Sequence, residues 1–135
     1  MKAAIALPIV AIMMLGAANA AFAHDPKDQV KVEVKSSEVH EGMAPGTFVC
    51  AEGHLHIRGS VQNMADAPVG QVKVAGKVFD ADGKLLGTAT GQTKAPVLNP
   101  QEKADVNLEF LTVTGAKIKQ VKNQELTVVA VGPKP

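Results

Sequence analysis

Hydrophobic and polar residues alternate with a period of two through most of the chain beyond residue 29. Val30-Lys31-Val32-Glu33-Val34-Lys35 alternates strictly, so successive side chains fall on opposite faces of a half-buried strand. Leu55, Ile57, Gly59 and Val61 alternate with His56, Arg58 and Ser60. Val72, Val74, Gly76 and Val78 alternate with Lys73, Ala75, Lys77 and Phe79. Ala104, Val106, Leu108 and Phe110 alternate with Asp105, Asn107 and Glu109. A last run, Leu126 to Val131, is rich in β-branched residues, which suit a pleated surface. Turn formers separate these runs. Asn63 to Pro68 reads as a polar loop, and Asn99-Pro100 breaks the chain before the next strand. Asp80-Ala81-Asp82-Gly83 reads as a hairpin turn, because Asp-Gly tolerates the positive φ of tight hairpins. Gly115 and Asn123 mark later turns, and Lys117 and Lys119 read as neighbours on one solvated strand face. No stretch shows sustained helical periodicity. About seven or eight short strands punctuated in this way predict an all-β, antiparallel sandwich or barrel.

The first 23 residues depart from that pattern. Lys2 opens a basic start, Ala3 to Leu15 is apolar except for Pro8, and Gly16 to Ala23 is built mainly of small residues ending in Ala21-Phe22-Ala23. That layout predicts a secretory signal peptide, residues 1–23, with an A-x-A cleavage site. Ala18-Asn19-Ala20 is a second candidate cut. The apolar run is shorter than the ~20 residues that span a bilayer, so no membrane insertion is expected after cleavage. Residues 24–135 then form one domain in the periplasm or outside the cell.

Cleavage changes the charge. The whole chain carries 14 basic and 13 acidic residues. Without Lys2 the count is 13 against 13, so the domain is neutral. Aromatic residues make up 3% of the chain, with no Trp and no Tyr. A neutral surface poor in stacking groups argues against nucleic acid as a partner. The one cysteine, Cys50, excludes an internal disulfide framework and a cysteine-only zinc cluster.

Several motifs fall in a familiar order. Ile57-x-Gly59-x-Val61-x-Asn63 precedes Val72-x-Val74. Val78-Phe79-Asp80-Ala81-Asp82-Gly83 follows, and Leu98-x-Pro100 leads into a strand ending at Phe110. From about Leu55 to Val131 the chain resembles the FxLYD-type bacterial immunoglobulin-like domains. It departs from the namesake pattern where Gly76 stands in place of the first Phe and Phe79 in place of the Tyr. The resemblance implies an exported immunoglobulin-like β-sandwich without enzymatic activity, and it carries over no catalytic residue.

Candidate chemistry lies in one segment. His24, His40, His54, His56, Cys50, Met43 and Met64 all lie between residues 24 and 64, and no His, Cys or Met follows. His54 and His56 are two apart on a strand and project from one face, which the pattern predicts to be the wetter one. Cys50 and Glu52 share that parity if the strand runs unbroken through Gly53. An H-x-H pair beside a thiolate or thioether suits Cu(I), Cu(II) or Zn(II). Cleavage after Ala23 would make His24 the N-terminus, where its amine and Nδ1 chelate Cu(II). Cys50 near His54 also admits a nucleophile, although no third orienting group is evident. Asp80-x-Asp82-Gly83 opens like a calcium loop, but Lys84, Leu85 and Leu86 follow where acidic ligands are needed.

Two function classes follow. The first expectation is a non-enzymatic exported module, without cofactor, that binds a protein or envelope component. The alternative is a periplasmic metal-binding protein, for copper foremost, using the 24–64 segment.

Overall fold

The computed structural model describes residues 26–133. The signal peptide and His24 lie outside the described residues. A short helical turn, Pro26–Gln29, leads into nine strands: β1 Val30–Val34, β2 Thr47–Val49, β3 His54–Asn63, β4 Val69–Gly70, β5 Val72–Phe79, β6 Leu85–Gln92, β7 Val97–Leu98, β8 Lys103–Thr114 and β9 Asn123–Val131. All pairings are antiparallel. The expected all-β sandwich is therefore found. The strand count exceeds the sequence reading because β2, β4 and β7 have only two or three residues, too short for a period to show. One part of the reading is corrected. Lys117 and Lys119 sit on a one-turn helix, α1 (Ala116–Gln120), rather than on a strand face.

Strand β3 organises the first sheet. It pairs with β8 along one edge and with β1 and β2 along the other. The second sheet runs β6–β5–β9. Alternation decides what lies between them. Leu55, Ile57 and Val61 of β3, Val72, Val74 and Val78 of β5, and Val106, Leu108 and Phe110 of β8 are all buried. Each such side chain contributes about 1.5–3 kcal/mol on burial. Gly76 has a packing reason. A Cβ there would sit 2.7 Å from Leu108 Cδ2 and 3.2 Å from Phe110 Cζ. The volume that the resemblance assigns to a Phe on β5 is filled from β8 and from Leu126 of β9 instead.

The turns behave as their residues require. Asp80 Oδ1 accepts the backbone N–H of Asp82 at 2.8 Å and of Lys84 at 2.9 Å. Gly83 supplies the positive φ, 83°. The Asp-Gly hairpin between β5 and β6 is therefore a self-capped turn.

Candidate metal centre

The outer face of the first sheet carries the chemistry. Strand β2 ends at Val49, and the chain reverses through Cys50-Ala51-Glu52-Gly53 into β3. Cys50 N–H donates to His54 O at 3.1 Å, and Gly53 N–H donates to Cys50 O at 2.9 Å. Gly53 has φ 85°, which L-residues adopt only under strain. The strand therefore does not run through Gly53, and the condition on which Cys50 and Glu52 would share the parity of His54 is not met. A tight turn, not a continuous strand, folds both side chains toward His54.

Strand β8 brings in the remaining group. His56 pairs directly with Glu109 in the β3–β8 ladder. The register then shifts between His54 and Leu55, so that Leu55 faces Phe110 while His54 faces Thr114. Such bulges re-aim side chains. The result is a group in which one ligand atom each from Cys50, Glu52, His54 and Glu109 all lie within 4.8 Å of one another. His54 Nδ1 and Glu109 Oε2 are 2.8 Å apart, with side chains 25% and 39% exposed. A cysteine sulfur, an imidazole and two carboxylates match the donor types and count of a Zn(II)-class site.

His56 departs from the expectation that its face of the strand is the wetter one. It is 8% exposed. Phe48 of β2 stacks on its ring at 4.7 Å, with an interplanar angle of 22°. Arg58 lies over the other part of this aromatic group, 5.0 Å from the Phe48 centroid. His56 Nδ1 lies 3.2 Å from Asn107 Oδ1, a carbonyl oxygen that accepts its N–H. Nε2 is buried and has no hydrogen-bond partner. It points toward Glu109 Oε2 at 3.6 Å, beyond hydrogen-bond reach. A buried polar atom left so costs about 1–3 kcal/mol.

The other candidates are not gathered here. Met43 packs against the core. Met64 is 49% exposed and follows the far end of β3, roughly 30 Å from His54 along the strand. His40 lies on the segment between β1 and β2, 6.1 Å from the Phe48 ring centroid and 4.0 Å from Glu38. The thioether ligands that favour Cu(I) are thus absent from the cluster. The orienting acid missing from the sequence reading of Cys50 and His54 is Glu109. Among the described residues, however, no hydrogen bond joins the Cys50 thiol to His54. Sequence reasoning missed Glu109 and Asn107 as site residues. Their only signal was outward parity in β8, which they share with Asp105.

Comparisons with known proteins leave the family open. No family model matches the chain, and none of the curated proteins matches it. The β-sandwich that the resemblance to FxLYD-type domains implies is present. Among solved structures the chain is similar to IrmA from Escherichia coli, at 14% identity and TM-score 0.49, covering 75% of this chain and 77% of that one. It is also similar to a DUF1425 family member from Shewanella sp. pv-4, at 14% identity and TM-score 0.43, with the same coverage of both chains. Likeness at this level assigns neither family nor activity. Among the described residues no helix is long and apolar enough to cross a membrane.

Proposed function

We propose that this chain is an exported, non-enzymatic β-sandwich domain that binds a divalent transition-metal ion through Cys50, Glu52, His54 and Glu109. The geometry thus favours the second of the two sequence-derived classes over a protein-binding module. The observation that carries it is the convergence of four ligand atoms within 4.8 Å, drawn from two segments more than fifty residues apart. The apolar leader supports export. Zn(II) fits the mixed sulfur, nitrogen and oxygen donors best, with Cu(II) as its competitor. Cu(I) is disfavoured because neither Met43 nor Met64 reaches the cluster.

Titration of Zn(II), Cu(II) and Cu(I) into the purified protein tests the proposal. One equivalent of Zn(II) is expected to bind with sub-micromolar affinity. The double variant Cys50→Ser/His54→Ala is expected to weaken it by at least about 100-fold. Met43→Leu and Met64→Leu are expected to change nothing. Weak binding that ignores the double variant would sink the proposal.

A further inference from the structure

We infer that His56 is a fifth, preset ligand of this ion, contributing Nε2 from beneath the exposed cluster. We further infer that it makes the site select borderline cations such as Zn(II) over Mg(II) and Ca(II). The inference rests on the metal-binding reading above and adds the residue that four-fold clustering leaves out.

Three observations on His56 converge. The first is its orphaned nitrogen. Nε2 is buried without a hydrogen-bond partner, on a side chain only 10% exposed. It is aimed at Glu109, the carboxylate already in the cluster. Packing on Phe48 accounts for the ring's burial but not for an unpartnered ring nitrogen turned toward a carboxylate oxygen. With Nδ1 paired to Asn107 Oδ1, Nε2 is left facing a carboxylate oxygen without a hydrogen bond, and a cation between the two would engage both.

The second observation is distance. Two ligands each about 2.1 Å from a five-coordinate zinc ion lie about 3.0 to 3.6 Å apart. His56 Nε2 and Glu109 Oε2 are 3.6 Å apart, so this pair is spaced for a shared ion rather than for a hydrogen bond. The His54–Glu109 pair, at 2.8 Å, is hydrogen-bonded and must open slightly on loading.

The third is orientation. A metal-ligating histidine characteristically donates its other ring N–H to an oxygen acceptor, which fixes tautomer and ring plane. Asn107 Oδ1 does this for His56 at 3.2 Å, and the stacked Phe48 ring holds the plane from the other side. Asn107 is therefore a positioning residue, and His56 a ligand. Two imidazoles and a thiolate set against two carboxylates shift the donor set away from the oxygen-only shells that Mg(II) and Ca(II) require.

The test counts imidazoles. X-ray absorption of the Zn(II)-loaded chain is expected to show two histidine ligands, and that of His56→Gln one. A competing chelator is expected to find Zn(II) bound at least about 10-fold more weakly in His56→Gln. His56→Phe keeps the stack on Phe48 and guards against a simple folding defect, and it is expected to show the same loss. Asn107→Leu is expected to keep both imidazoles but to weaken binding by about 10-fold. Mg(II) and Ca(II) in large excess are expected not to displace Zn(II) from the unmodified chain. Displacement of Zn(II) by either cation would overturn the selectivity. A single imidazole in the unmodified chain, or His56 variants within twofold of it, would overturn the fifth ligand while leaving the four-residue site standing. Failure of the unmodified chain to bind Zn(II) at all would remove the parent reading as well.

Discussion

Asn63 shows what one buried polar side chain does in this fold. It is 0% exposed, yet each polar atom of its amide has a partner. Nδ2 donates to Ala67 O and to Leu98 O, both at 2.9 Å, and Oδ1 accepts from Ala65 N–H at 2.9 Å. The amide thereby ties the end of β3 to the following loop and to β7. Asn63→Ala removes three hydrogen bonds, to two carbonyls and one N–H, the one to Leu98 O fully buried. A loss of about 2–4 kcal/mol is expected, read as a lower urea midpoint at unchanged slope. His56 is the contrasting case, with one nitrogen satisfied and one not. In the sequence both residues look like ordinary polar positions at or near the edge of a strand. Alternation assigns a residue to a face, and Asn63 follows that rule by pointing inward. It says nothing about whether the outward face is covered, and Phe48 covers it at His56.

At the scale of elements, the close contact between β6 and β8 matters for the site. Gly87, Ala89 and Gly91 are the small residues of β6. A Cβ on Gly91 would run into the backbone carbonyl of Asn107, whose side chain orients His56. Gly91→Ala is expected to cost about 1–3 kcal/mol through overpacking. It should also weaken Zn(II) binding more than Val74→Ala, a core change on a strand that does not touch the cluster. Paired chemical denaturation and chelator competition on the two variants measure both effects. Strand β6 was legible only in part. Its Leu-Leu-Gly-Thr-Ala-Thr-Gly-Gln sequence has little hydrophobic alternation, because its inner face is filled by backbone approach rather than by side chains. The β5–β6 turn was fully legible, since Asp80 and Gly83 carry out their roles within five residues.

Across the whole molecule, the proposed ion would clip the β2–β3 turn at residues 50–54 to the middle of β8 at residue 109. Such a clip joins parts of the chain far apart in sequence and acts on folded protein only. With free Zn(II) near 100 times its dissociation constant, stability is expected to rise by about 2.7 kcal/mol. For a domain of this size that is a melting shift of roughly 10 °C or more, reversed by EDTA and absent in Cys50→Ser/His54→Ala. By itself the amino-acid sequence determined the β-class, the faces of the long strands, the Asp-Gly hairpin and the segment that holds every His, Cys and Met after residue 23. These follow from local rules, a two-residue period and the φ preferences of single residues. Only the tertiary structure decided which strand lies beside β3. That choice depends on how two sheets bury one common core, and no local period encodes it. It placed Glu109 and Asn107 beside His54 and His56, left Met64 at the far end of a ten-residue strand, and gathered scattered ligand types into one cluster.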